Sequence, residues 1–224
     1  VDGQFTKALA NEKALKDTPV ASYDALLQKG TASDAHRPTL WDFLAFEALD
    51  FYAAPQQAGN AAEDRFVIVA DDPAFGTADE FLAWEPKTTD AASRTLKAVK
   101  LAQKVMAFHK GDADPTAFLD ADLWRLRFAS NVGVGEDKSA RYKAALQRFA
   151  DTHAKHELSA LARARLAEVL HGEDEPVQAR EIALQAVAAF PDSVGGATAW
   201  NLVRRMEGYA EGGQAERVWA DPRP

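Results

Sequence analysis

Four groups of residues carry side chains that chemistry uses. "NVGVGEDKSA" (Asn131–Ala140) has the glycines and the lysine of a phosphate-binding loop. Such a loop needs a glycine directly before the lysine, so that backbone amides wrap the phosphates. Here Asp137 precedes Lys138, and its carboxylate would repel a phosphate. The preceding "LWRLRF" has helical rather than strand spacing, so the stretch reads as a connector with acids near a helix start. "HAKHE" (His153–Glu157) places two histidines beside an acid. Zinc hydrolases of the thermolysin type need His-Glu-x-x-His, and the order here is different, so these read as surface histidines in a turn. "GDADPTAFLDAD" (Gly111–Asp122) has acids at Asp112, Asp114, Asp120 and Asp122. A calcium loop needs a central glycine and a glutamate at its twelfth position, which here is Leu123. Capping and a solvated face account for the acids better. Arg163, Arg165, Arg204 and Arg205 read either as a solvated face or as a groove for an acidic peptide. Of the remaining histidines, His36, His109 and His171 sit near expected helix ends. His109 and His171 fall in last turns, where a cation suits the helix dipole.

No catalytic, cofactor-binding or metal-ligating residue is assigned from these patterns, and no cofactor is expected. Partner-binding residues stay unassigned. A serine-histidine-acid set is not suggested by local spacing, although such sets assemble in space.

The elements that would position these residues are helical. Alanine is abundant, β-branched residues are sparse, and alternating apolar-polar runs are nearly absent. The exception is Phe66-Val67-Ile68-Val69, which fits a lone extended segment or a short helix start. Thr39 and Asp42 make a variant capping box at the head of "LWDFLAFEALDFYA". That helix is apolar on most sides, since Phe43 and Phe46 widen the face of Leu40, Trp41, Leu44, Ala48, Phe51 and Tyr52. It is therefore expected to lie buried between neighbours. Further helices are expected at Thr77–Glu85, ended by Pro86, at Thr89–Lys110, and after Asp114-Pro115. Four more follow at roughly Asp137–Thr152, Glu157–His171, Glu175–Phe190 and Val194–Tyr209. "YKAALQRFA" (Tyr142–Ala150) and "REIALQAVA" (Arg180–Ala188) align at an offset of 38 residues, near the period of tetratricopeptide helix-turn-helix solenoids. Gly212-Gly213 is expected to end the last helix, with Val218 and Trp219 starting an extended strand. The chain thus reads as all-α: an irregular helical part over residues 1–130, a tetratricopeptide-like (α-solenoid) tail over 131–211, and a linker over 212–224 towards a following β-domain.

Composition narrows the function classes. A net charge of -8 argues against nucleic acid, which needs a basic face. With no cysteine, there is no disulfide, thiolate metal site or cysteine nucleophile in these residues. No run of about 20 apolar residues exists to span a membrane. A start at Val1 rather than methionine is read as a processed or trimmed chain, with any signal peptide already removed.

"RPTLWDFLAFEALDFYA" also resembles a segment near the N-terminus of large bacterial alpha-2-macroglobulin-family proteins. The matching residues are Pro38 to Ala45 and then Ala48 to Tyr52. "FHKGDADPTAFLDADLWRL" (Phe108–Leu126) is similar to the next block of that family, and "AERVWADPRP" to the approach to its first macroglobulin β-domain. The resemblance implies a large exported protein, often lipid-anchored, in the periplasm or bacterial cell envelope. Many relatives trap proteases, some through an internal Cys-Glu thioester, which these cysteine-free residues do not include. The expected role of this region is non-catalytic interaction, positioning or gating. Its partner would be the β-domains of the same polypeptide or another protein. A free-standing helical-repeat scaffold that binds a peptide or protein is the alternative. An enzyme with a spatially assembled site is the third and least favoured reading.

Overall fold

The computed structural model describes residues 2–27, 33–54 and 65–219, with side chains through residue 208. The fold is all-α. Among the described residues there are ten α-helices and no β-strand; the β-type pairings are the single bridges Pro19–Thr39 and Val69–Val134. The chain divides into two compact units, Val1–Tyr142 and Lys143–Pro224.

The first unit is organised around α3 (Leu40–Ala53). Its start is fixed twice. Thr39 Oγ1 accepts from Asp42 N, and the Asp42 carboxylate accepts from Thr39 N, which completes the capping box. Val20 N donates to Pro38 O and Leu40 N to Thr18 O, both at 2.9 Å, so the preceding chain is clamped as well. Trp41, Ala45, Phe46, Ala48 and Leu49 are buried, and Glu47 and Asp50 are the exposed turns. The helix is enclosed on most sides, by α1 (Asp2–Ala8), α2 (Glu12–Lys16) and α5 (Arg94–His109). α5 in turn packs on α4 (Ala78–Ala83) and α6 (Thr116–Val132).

Local chemistry moves several boundaries from the sequence expectation. α4 has a full capping box between Thr77 and Glu80, but it ends at Ala83 rather than Glu85. Pro86 disfavours the helical conformation at the residue before it, and the chain is already extended at Trp84. α5 begins after Ser93, whose Oγ accepts from Leu96 N, and not at Thr89. Residues 89–92 form turns instead. At α6, Pro115 is the N-cap, and Asp114 accepts from the Thr116 amide and hydroxyl at 3.0 and 2.6 Å. The extended reading of Phe66–Val69 holds, with one bridge to Val134. Residues 131–135 belong to the first unit, so the division falls twelve residues beyond the expected 130/131. The reason is packing: Val134 N donates to Ile68 O and Ala70 N to Val134 O, while Gly133 lies against the Phe75 ring.

The remaining helices are α7 (Lys138–Thr152), α8 (Leu158–Gly172), α9 (Pro176–Ala189) and α10 (Val194–Trp219). α8, α9 and α10 each pack on the other two. Their shared core is mostly alanine: Ala160, Ala164, Ala167, Ala183, Ala186 and Ala199, with Leu202 and Val203. Small side chains permit close axes. Contrary to the expectation of a linker over 212–224, α10 passes through Gly212-Gly213, and Val218 and Trp219 are helical. Glycine costs a helix about 1 kcal/mol without forbidding it, and the flanking Glu, Gln and Arg are good helix formers. Residues 220–224 lie outside the described residues.

Gly195 brings two helices into close backbone contact. A Cβ there would sit 2.1 Å from Leu161 N and 2.4 Å from Ala160 C, both backbone atoms. Gly208, further along α10, has nothing within 4 Å of such a Cβ. The two glycines should therefore respond oppositely to alanine. Gly195→Ala is expected to destabilise the chain by about 1–3 kcal/mol through overpacking. Gly208→Ala is expected to stabilise it by about 0.5–1 kcal/mol through helix propensity alone. Paired urea unfolding curves check both; equal shifts would refute the close-approach account.

Candidate functional site

Several ionisable groups singled out in the sequence have specific partners. His109 ends α5 and is 2% exposed. Its Nδ1 lies 2.6 Å from Asp112 Oδ2 and its Nε2 2.9 Å from Asp42 Oδ1. Carboxylate oxygens at both ring nitrogens suit the imidazolium, the one form that donates from both. Asp42 is fully buried, and its other oxygen accepts from the Thr39 amide and hydroxyl. Beside this chain Trp41 meets Phe108 edge-on at 5.7 Å, and Lys16 Nζ lies 4.4 and 4.2 Å from the two ring centroids. Burial works against charge on His109. The hydrogen bonds and charges of Asp42 and Asp112 outweigh it and raise its pKa above the usual 6.5.

Arg125, on α6, is a second buried cation. Its Nε and Nη2 donate to Asp122 Oδ1 at 2.8 and 2.5 Å. Nη1 donates to the carbonyls of Pro73, Ala74 and Gly76 at 3.1–3.2 Å, and the guanidinium lies 4.9 Å from the Phe81 ring centroid. One side chain thus fixes the 3-10 turn Pro73–Phe75 onto α6. Near the N-terminus, Asp2 accepts from Tyr52 Oη at 2.6 Å and Lys97 Nζ at 2.7 Å. Burial and the Asp2 bond push the Tyr52 hydroxyl up to about 12, so it stays a donor.

The acids of Gly111–Asp122 do not converge on a cation. Asp112 binds His109, Asp114 caps α6, Asp120 lies 4.0 Å from His36 Nδ1, and Asp122 holds Arg125. Among the described residues, no group of three or more His, Cys, Asp or Glu is placed to hold a metal ion. In the His153–Glu157 turn, His153 packs on Phe149 and His156 Nδ1 accepts from Leu158 N. Lys138 starts α7 after a connector, with its amide donating to Gly135 O. Arg163 turns to Ser159 Oγ on its own helix, whereas Arg204 and Arg205 are exposed.

Two grooves open on the first unit. One, of about 540 Å³, runs between α1 and α5, with Phe5, Leu9 and Leu101 as its apolar wall and Lys97, Lys100 and Lys104 along its rim. The other, of about 700 Å³, lies between residues 65–69 and 84–89. The Phe66 and Trp84 rings, with centroids 6.1 Å apart, lie side by side in its lining. Asp72 also lines it. Burial and the neighbouring Asp71 raise its carboxyl above the usual carboxylate range, against the Val69 N–H that it accepts.

No protein-family model matches the chain, and neither a curated protein nor a solved structure matches it. No helix of the described residues is long and apolar enough to cross a membrane.

Sequence reading placed Asp42 as a cap and His109 as a helix-end cation, and both placements hold. Their pairing was missed. The residues are 67 positions apart, and no periodic signal links them. Arg125 was missed too; an arginine in an apolar helical run is the only hint the sequence holds.

The raised pKa of His109 has a sign. Its contribution is complete below the unfolded value near 6.5 and is lost as pH rises through the higher folded value. The stability of the parent chain relative to His109→Gln, from urea unfolding between about pH 6 and pH 9, is expected to fall with pH. A flat or rising difference would contradict the imidazolium assignment. Arg125→Ala strands Asp122 and removes one donor from the carbonyls of Pro73, Ala74 and Gly76, and should cost about 3–5 kcal/mol in the same measurement.

Proposed function

We propose that this chain is a non-catalytic interaction and positioning module at the N-terminus of a large alpha-2-macroglobulin-like protein of the bacterial periplasm or cell envelope, a protease-trapping inhibitor in its full length. The observation that carries the reading is the meeting of two resembling blocks. Asp42 and Trp41 of the first block contact His109 and Phe108 of the second, with Asp112 completing the cluster. Residues that the resemblance selects separately in sequence thus make one buried tie. A non-catalytic role also suits the uses of the ionisable groups: His109, Asp122 and Arg125 are engaged in holding helices and turns together.

In this reading the tail is tetratricopeptide-like. α7 and α9 begin at Lys138 and Pro176 and carry the repeated Ala-Leu-Gln at Ala145–Gln147 and Ala183–Gln185. The partner is the β-domain array of the same polypeptide. The same repeat supports the second reading, a free-standing scaffold for a peptide or protein.

Sequencing the coding DNA on both sides of this stretch separates the two. The first reading expects an export signal upstream and a long β-rich chain downstream. A stop codon directly after Pro224 would overturn it in favour of the scaffold.

A further inference from the structure

Two carboxylates hold the His109 ring from opposite sides, and they differ in what else holds them. Asp42 is fully buried, and its Oδ2 accepts from the Thr39 amide at 2.9 Å and the Thr39 hydroxyl at 2.7 Å. The Asp112 side chain is 43% exposed, and among the described residues His109 Nδ1, at 2.6 Å, is the one hydrogen-bond partner of its carboxylate. The backbone around Asp112 is lightly tied. Asp112 N reaches His109 O at 3.2 Å, and a Cβ on the neighbouring Gly111 would meet nothing within 4 Å. Lys110 leaves the turn for Asp79, and Asp114 is bound to the start of α6. The connection from α5 to α6 is therefore pinned at its far end by Asp114 and at its near end by Asp112 on His109.

The charged neighbours of the ring are accounted for element by element. Asp42 from α3 and Asp112 from the turn are the two that act on it. On α2, Lys16 lies against the Trp41 and Phe108 rings and pairs with Glu12 at 2.6 Å. On α4, Asp79 is taken by Lys110. On α6, Asp120 lies by His36 and Asp122 holds Arg125.

The imidazolium donates to both carboxylates. A neutral ring keeps one N–H, so one carboxylate must then face a nitrogen lone pair, and two acceptors at such distances repel. A lone pair on Nε2 would take a donor from Asp42, which no water can replace. A lone pair on Nδ1 faces Asp112, whose carboxylate can turn into water. Exposure thus decides both the tautomer and the arm that lets go. Asp42 and Asp112 raise the pKa of His109 above 6.5 against burial, so the closed form persists to higher pH than an ordinary histidine would allow.

We propose that the α5–α6 turn is a latch closed by protonated His109: as pH rises the ring proton passes from Nδ1 to solvent, Nε2–H stays on Asp42, and the Asp112 carboxylate swings into water and frees residues 110–113 while α3 stays capped. The latch does not rest on the macroglobulin reading, so a stop codon after Pro224 would leave it untouched.

The test uses the full 224-residue chain, labelled with 15N and titrated from about pH 6 to about pH 10, a range that spans a raised histidine value. Imidazole nitrogen shifts report the tautomer, and backbone amide shifts report the turn. At high pH the His109 ring should be protonated at Nε2 alone. The amides of Lys110, Gly111 and Ala113 should move with the same midpoint, while those of Asp42 and Phe43 hold and the helical circular dichroism is kept. Asp112 is partly exposed, so its variants are expected to fold. Asp112→Ala should leave the three turn amides at their open positions at every pH. It should also lower the His109 midpoint by about one pH unit or more, the scale of a lost hydrogen bond to a charged group. Asp112→Asn supplies an N–H that can donate to the bare Nδ1, and the turn should stay closed throughout. A neutral ring protonated at Nδ1, or shifts at Asp42 and Phe43 in place of the turn, would overturn the proposal. So would turn amides that still titrate in Asp112→Ala, a ring that keeps one state across the range, or loss of helical signal at the His109 midpoint.

Discussion

The first unit depends on one buried charge cluster. Thr39, Asp42, His109 and Asp112 form a continuous hydrogen-bonded chain from the start of α3 to the end of α5. A carboxylate as buried as Asp42 would be costly alone, because desolvation of a charge outweighs most single contacts. Here three donors reach it: the Thr39 amide, the Thr39 hydroxyl and the imidazolium. The same residue therefore satisfies an orphan amide at a helix start and neutralises a cation at a helix end. That dual use sets the register of α3 against α5, around which α1, α2, α4 and α6 are arranged.

Arg125 applies the same logic to a different problem. The turn Pro73–Phe75 directs carbonyls at Arg125, beyond the one bond from Gly76 N to Pro73 O that closes it. A guanidinium has enough donors to satisfy Asp122 and three carbonyls at once, in a fixed plane. Lysine, with one charged atom on a flexible stem, could not span that set. The consequence for function is direct. Asp42, His109, Asp122 and Arg125 are committed to architecture.

The second unit reaches order by another route. Alanine fills its interhelical seams, and Gly195 brings α10 against the backbone of α8. Dispersion between close backbones replaces the large side chains that fill the first unit. The two units thus meet the requirement of dense packing with different residue sizes, and they tolerate different substitutions.

The helices were legible in the sequence because the signals are local. Capping residues at Thr39 and Thr77, prolines at 86, 115 and 176, and helical spacing of apolar residues each act within a turn or two of chain. The all-α class, the enclosed helix from Leu40 and the turn role of His153–Glu157 follow from such signals. Where a local signal was overridden, the cause was also physical: two glycines at 212 and 213 weaken a helix without ending it, and Pro86 acts on its predecessors as well. The pairing of His109 with Asp42, the carbonyl cage around Arg125 and the groove between residues 65–69 and 84–89 were decided only by the tertiary structure. Each joins residues roughly 20 to 70 positions apart, and distance along the chain carries no information about which buried charge will find which partner. Sequence by itself determined which residues form helices; the cost of burying a charge or a carbonyl unpaired determined how those helices are held.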